Sequence, residues 1–331
     1  MIPYAILFIS FLSLYFSLEI ASWNRKISSM ISFIPMLPLV VFAFFYAGEI
    51  GSDAENYNRL FGIAEELPQE PIFSLLMYSA KSLGLDFIEF SKLLVLSQFL
   101  LLTLIIRRLR EPLLFLLFYF GCFYLNFHFN ALRNSTAILL IGAVLVQFRR
   151  VGLITILISS LIHYSSLVTI ALQKLSQSGR KRLAISVLVL ASIMIILIWL
   201  NRNLIADIPS SNFYYSGYFQ RDAVSGAIYP ALLLKLVVMW LLFLNGGNRI
   251  LFAAYAIFVV LIHATDPIFS RISDLILFLA VLDFCTHHQL VRKRLLTIGL
   301  TSILVLSSFM VPMRDCQSSG YDDNWCLLVM G

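Results

Sequence analysis

The chain has 331 residues, of which 60% are hydrophobic and 13% charged, and its mean hydropathy is +0.89. A soluble domain carries about a quarter charged residues, so 24 basic and 18 acidic side chains are too few to cover the wet surface of a soluble enzyme of this length. Composition therefore makes a bilayer the solvent, and the net charge of +6 follows from topology without any nucleic-acid partner.

Charge-free runs long enough to cross the hydrocarbon core as helices extend from Met1 to Leu18, Ile27 to Gly48, Pro112 to Leu132, Val151 to Gln173, Leu183 to Asn201 and Leu295 to Met313. Backbone groups in lipid must be satisfied internally, and the runs lack the period-2 alternation of a barrel, so the spans are helical. The first run has no basic stretch before it, and Arg25 and Lys26 follow it, so it reads as a retained helix with its start outside. Short loops rich in Lys and Arg stay cytoplasmic. Such clusters lie at Arg25/Lys26, Arg107/Arg108/Arg110, Arg149/Arg150, Lys174/Arg180/Lys181/Arg182, Arg249 and Arg292/Lys293/Arg294, with only Glu19, Glu111 and Asp283 among them.

Threading the chain through these anchors predicts crossings near 2–18, 30–47, 87–106, 112–127, 134–148, 151–163, 164–175, 183–200, 229–244, 250–264, 269–286 and 295–311. The stretch 151–175 is one helix long yet basic at both ends, so it reads as two short helices meeting near His163. The expected fold class is an all-α polytopic integral membrane protein of about twelve crossing or re-entrant helices, a single transmembrane domain over 1–331. Its sizeable outer segments are 48–86, 201–228 and the tail 312–331. Cys122 and Cys285 fall inside predicted helices, whereas Cys316 and Cys326 share the outer tail. The tail pair is expected as a disulfide if the outside is oxidising, the alternative being two free thiols.

The sequence contains no Walker loop, HExxH, GxSxG or Asp-x-Asp pair. His287/His288 read as a solvated basic loop and Asp322/Asp323 as an exposed tail, so no metal site is expected. Four polar stretches then stand out, because ionisable groups at membrane depth are costly and mark sites. Asp53, Tyr57 and Glu70-Pro71 lie in the first outer segment, before an amphipathic stretch at 72–84; a carboxylate there serves as a general base or as a helix N-cap. Asn126 to Ala137 forms a polar hinge containing Asn130 and Arg133. Arg133 offers forked donors for phosphate oxygens, or snorkels to the interface. His163-Tyr164-Ser165-Ser166 sits at the tip of the short helix pair, where an imidazole deprotonates a hydroxyl or bonds a backbone carbonyl. Arg271 and Asp274 are three apart and either pair on one helix face or leave Arg271 as a second cation. Lys235, in mid-run, needs a partner or a wet cavity.

The order of Asp53, Tyr57 and Glu70-Pro71, then Asn130-x-x-Arg133-Asn134-x-x-Ala137, His163-x-Ser165 and Arg271 at the head of a late helix resembles the EpsG-like branch of bacterial polysaccharide polymerases. That branch is similar in role to the Wzy O-antigen polymerases. The resemblance runs from about 48 to 285 and implies a bundle of the GT-C-like or Wzy-like kind in the bacterial inner membrane. It implies transfer, at the periplasmic face, of a glycan on undecaprenyl diphosphate to the non-reducing end of another lipid-linked repeat unit. A co-polymerase that regulates chain length is the implied protein partner. A diphosphate leaving group calls for cations, for which Arg133 and Arg271 are the leading candidates, with Lys235 and Arg221 as additions. Asp53, Glu70 and His163 compete as the base. Cationic stabilisation of developing charge takes the place of a metal, so a metal-independent transferase without cofactors is expected.

Sugar recognition is assigned to Tyr57, Asn130 and the aromatic loop bearing Tyr214, Tyr215 and Tyr218, although tyrosines also form the interfacial belt of membrane proteins. The rival class is a lipid-linked oligosaccharide flippase or another transporter, since Lys235, Arg271 and Asp274 also suit a pathway. The inverted repeat that many transporters carry is not found: the 127–175 pattern has no second copy.

Overall fold

A computed structural model describes residues 31–49, 54–63, 70–124, 126–163, 166–177, 230–244, 248–264 and 267–287, together with Ser13 and Ser17. Among the described residues the structure is entirely helical. Contacts divide the chain into two compact units, one formed by 1–167 with 285–331 and the other by 168–284.

The first unit opens with α1 (Phe33–Tyr46). Two amphipathic helices follow, α2 (Ala54–Gly62) and α3 (Pro71–Ser82). Pro71 occupies the first helical position of α3, where its missing N–H costs nothing. The long α4 (Phe87–Ile106) starts on a reciprocal cap: Asp86 accepts from the Glu89 amide at 2.8 Å, and the Glu89 carboxylate accepts from the Asp86 amide at 3.0 Å. Among the described residues α4 is the one helix long and apolar enough to cross a bilayer by itself, over the range the sequence predicts.

Shorter apolar helices follow, and here the structure departs from the expected crossing at 112–127. The α-helix α5 (Pro112–Phe118) passes into two wide-turn segments, π1 (Tyr119–Phe123) and π2 (Asn126–Asn130). Rings crowd this stretch: Phe123 and Phe127 lie 5.3 Å apart between centroids, and Phe120 and Tyr124 6.1 Å. The wider π turn gives such rings room, and wide turns of this kind cluster at functional sites. The Tyr124 hydroxyl donates to the Leu39 carbonyl of α1 at 2.7 Å, fixing the segment to the first helix.

At Ala131 the backbone leaves helical geometry, and α6 (Leu132–Phe148) begins afresh. The expected pair of short helices around His163 is present as α7 (Leu153–Ile162) and α8 (Ser166–Gln177), with His163 itself extended at φ −158°, ψ 123°. One apolar cluster joins α2, α3, α4, α6 and α7 through Tyr57, Phe61, Phe73, Phe90, Leu132 and Ile162. It anchors α2 and α3 on α4, α6 and α7.

The second unit contains most of α8, α9 (Pro230–Leu244), α10 (Arg249–Ala264) and most of α11 (Pro267–His287). Phe243 and Phe252 stack at 4.7 Å to hold α9 on α10. Lys235 of α9 donates to Asp274 Oδ1 of α11 at 2.7 Å.

Candidate functional site

Three of the sequence candidates converge in the first unit. Glu70 immediately precedes α3, Arg133 lies in the first turn of α6, and His163 follows α7. The Glu70 carboxylate bridges the other two: Oε2 accepts from Arg133 Nη1, and Oε1 meets His163 Nδ1. Its side chain is 2% exposed, and those of Arg133 and His163 are 11% exposed. An ionised carboxylate only accepts, so the bridging contact puts the proton of His163 on Nδ1 and leaves Nε2 as the acceptor nitrogen.

Burial pushes the Glu70 carboxyl up. The hydrogen bond from His163 and the charge of Arg133 outweigh that effect, with a smaller contribution from the Arg133 hydrogen bond, and the carboxyl is held below its ordinary value of 4.5. The backbone is placed with equal tightness. Glu70 adopts the left-handed conformation, φ 57° and ψ 62°, which costs a residue with a Cβ about 1–2 kcal/mol. The Glu70 carbonyl accepts from the Ser74 amide at 3.1 Å, so this turn opens α3 while sending the carboxylate back toward Arg133 and His163. Strain of this kind persists where surrounding contacts over-determine it, and such contacts gather at functional sites.

The walls of the site are aromatic. The Arg133 guanidinium carbon lies 5.3 Å from the Tyr57 ring centroid and 5.8 Å from that of Phe73, within reach of cation–π attraction. Tyr57, expected as a sugar contact, is 3% exposed, with one ring face turned to Arg133. Beside His163, the buried Ser166 hydroxyl has no hydrogen-bond partner among the described residues. A buried hydroxyl in that condition calls for an explanation such as a ligand or water. Together Arg133, His163 and Glu70 provide a cation, an oriented imidazole and a carboxylate at one place. That set suits proton removal from a hydroxyl next to an anionic leaving group.

The other candidates are placed differently. Lys235 finds the partner its place in mid-run calls for in Asp274, on another helix. The backbone of Arg271 lies in α11 and that of Asn130 in π2, but their side chains are outside the description. Asp53, Arg221, Tyr214, Tyr215, Tyr218, Cys316 and Cys326 lie outside the described residues, although α2 begins directly after Asp53. Phe73 is the site residue that sequence reasoning missed. Its signal was slight: an aromatic one helical turn after Glu70, inside an amphipathic stretch.

No curated protein and no solved structure matches the chain. A family model described as EpsG family matches residues 26–320. That span covers nearly the whole chain, including Glu70, Arg133 and His163, and the protein is a member of the EpsG family, the Wzy-like polymerases.

Proposed function

We propose that this protein polymerises lipid-linked glycan repeat units as a multi-pass enzyme of the bacterial inner membrane, with its site open to the periplasm. The donor is a glycan on undecaprenyl diphosphate, and the acceptor is the non-reducing end of another lipid-linked repeat unit. The observation that carries this reading is the buried Glu70–Arg133–His163 cluster within a chain of the EpsG family. Such a cluster, amid apolar surroundings, costs desolvation that packing alone does not require.

In the proposed reaction the acceptor hydroxyl oxygen forms a bond to the anomeric carbon of the donor. The bond from that carbon to the phosphate oxygen breaks, and undecaprenyl diphosphate leaves with the electron pair. The hydroxyl proton passes to His163 Nε2. Glu70 holds the imidazole in the required tautomer and stabilises the imidazolium that forms. Before transfer the cluster is neutral, with Glu70 ionised, Arg133 charged and His163 uncharged. After transfer it carries one positive charge, just as negative charge gathers on the leaving diphosphate. Arg133 supplies a cation for that diphosphate, and the mechanism calls on no metal. Asp53 competes with His163 for the part of the base, and the segment 201–228 with Tyr214, Tyr215 and Tyr218 contacts sugar. A chain-length-regulating co-polymerase is the expected protein partner.

The test is deletion of the gene in its host, followed by a gel of surface polysaccharide after complementation with wild type or Arg133→Ala. A ladder that collapses to a single repeat unit, and that only the wild type restores, is the expected result. Loss of every repeat unit would favour a flippase instead, and an unchanged ladder would overturn the proposal.

A further inference from the structure

A second polar cluster lies behind Arg133, on the side of α6 away from the site. It is built from Gln98 in the middle of α4, Tyr119 of π1, His128 of π2, and Ser135 and Thr136 in the first turn of α6. Gln98, Tyr119, His128 and Ser135 are completely buried. The family resemblance gives no part to Gln98, Tyr119 or His128.

The donors and acceptors of this cluster can be assigned without ambiguity at its centre. Gln98 Nε2 lies 3.1 Å from the Leu132 carbonyl, 2.9 Å from Ser135 Oγ and 2.9 Å from Thr136 Oγ1. The side-chain nitrogen must donate to these acceptors, so Oε1 is the acceptor facing His128 Nδ1 at 2.7 Å. His128 therefore carries its proton on Nδ1. Its Nε2 accepts from the Tyr119 hydroxyl at 2.9 Å. The imidazole is clamped flat against Phe99 of α4, with centroids 4.4 Å apart and planes 8° from parallel.

The same cluster closes the break between π2 and α6. Ala131, at the head of α6, provides no side-chain cap. Ser135 Oγ lies 2.7 Å from the Phe127 carbonyl and 2.9 Å from that of Leu132, while Thr136 Oγ1 donates to Leu132 at 2.7 Å. Carbonyls on both sides of the break thus find partners, and Gln98 ties those partners to α4. Successive residues of an α-helix are about 100° apart, so Ser135 lies nearly opposite Arg133. One side of the first turn is fixed to α4 while the other presents the guanidinium to Glu70, Tyr57 and Phe73. A fully satisfied network in a low-dielectric interior rigidifies what it holds.

We propose that Gln98 and His128 are positioning residues for Arg133. The Gln98–His128–Tyr119 relay sets the rotation and depth of the first turn of α6, and thereby the direction of the guanidinium. The connection to activity rests on the polymerase reading above, whereas the positioning of Arg133 does not.

The test reads Arg133 directly. Full-length protein in native membranes is treated with phenylglyoxal, and modification of Arg133 is followed by mass spectrometry, with exposed Arg108 as the internal reference. Gln98→Met keeps the side-chain length and removes the donors and the acceptor. It is expected to speed modification of Arg133 about fivefold, as local loosening of the turn frees the guanidinium, with Arg108 unchanged. His128→Leu should do the same. His128→Gln should behave as wild type, because its amide again offers an N–H to Gln98 and an acceptor to Tyr119. Polymer ladders should follow the same order. An unchanged Arg133 rate in both Gln98→Met and His128→Leu overturns the inference, as does a His128→Gln protein that behaves like His128→Leu. If Gln98→Met does not accumulate, the two His128 variants decide. A wild type without polymerising activity would sink the functional reading but leave the Arg133 rates to judge the positioning.

Discussion

The ion pair between Glu70 and Arg133 can be separated from catalysis by a double-mutant cycle. Arg133→Ala leaves a carboxylate whose side chain is 2% exposed with His163 as its remaining described side-chain partner. Removing one partner of a buried pair costs about 3–5 kcal/mol, because the other charge stays buried and uncompensated. Arg133 is itself 11% exposed, so solvent partly reaches the pair, and the low end, about 3 kcal/mol, is expected. Glu70→Gln should cost less, about 1–2 kcal/mol, because the amide keeps an acceptor for His163 and the guanidinium keeps its two aromatic neighbours. With both changes no carboxylate is left stranded. The double variant should then be more stable than the sum of the singles by about 2 kcal/mol, well outside the few tenths expected of independent sites. Stability would be measured by denaturant unfolding of detergent-purified protein, followed by tryptophan fluorescence. Activity behaves otherwise: all three variants should lose the polymer ladder, because the double variant regains stability but not the cation. Additive stabilities within about 0.5 kcal/mol would refute the buried pair, and a ladder restored in the double variant would refute a chemical role for Arg133.

Three further outcomes follow from the same geometry. Glu70 has its folded pKa held below 4.5, so its contribution to stability is fully present above that value and is lost as pH falls through the folded pKa. Thermal midpoints should fall below about pH 4.5 in the wild type, and Glu70→Gln should remove that part of the fall; identical acid profiles would contradict the assignment. His163→Ala should abolish polymerisation with protein levels retained, and added imidazole should partly restore it, since a small molecule can fill the vacated space and accept the proton; full activity without imidazole would exclude His163 as the base. Gly48 and Gly84 both have positive φ, at 77° and 80°, but a Cβ on Gly48 would meet Ser91 Oγ at 3.0 Å, whereas one on Gly84 would meet nothing within 4 Å. Gly84→Ala should cost about 1 kcal/mol from conformation alone, and Gly48→Ala measurably more in the same unfolding assay; equal costs would show that α4 yields at Ser91.

The site was legible where a polar residue interrupts an apolar run. Arg133 and His163 stand at such interruptions, and Glu70 precedes a proline that opens an amphipathic helix, so each could be singled out locally. Their union could not be read in the same way, because Glu70 lies 63 residues from Arg133 and 93 from His163. The apolar cluster around Tyr57 and Phe73 brings them together, and packing of that kind leaves no local signature. Lys235 shows the same limit: its place in mid-run says that it needs a partner, but the one observed, Asp274, is 39 residues away. The wide turns at 119–130 were hidden because a π segment and an α-helix draw on the same apolar residues. Gln98 was hidden for a further reason. It is uncharged and sits inside an apolar run, so a search for charges and helix ends passes over it, although its amide meets Leu132, Ser135, Thr136 and His128. In a membrane chain, an amide in mid-helix therefore deserves the scrutiny usually given to charges. Lipid supplies it no partner, and whatever it binds has been brought there by the fold.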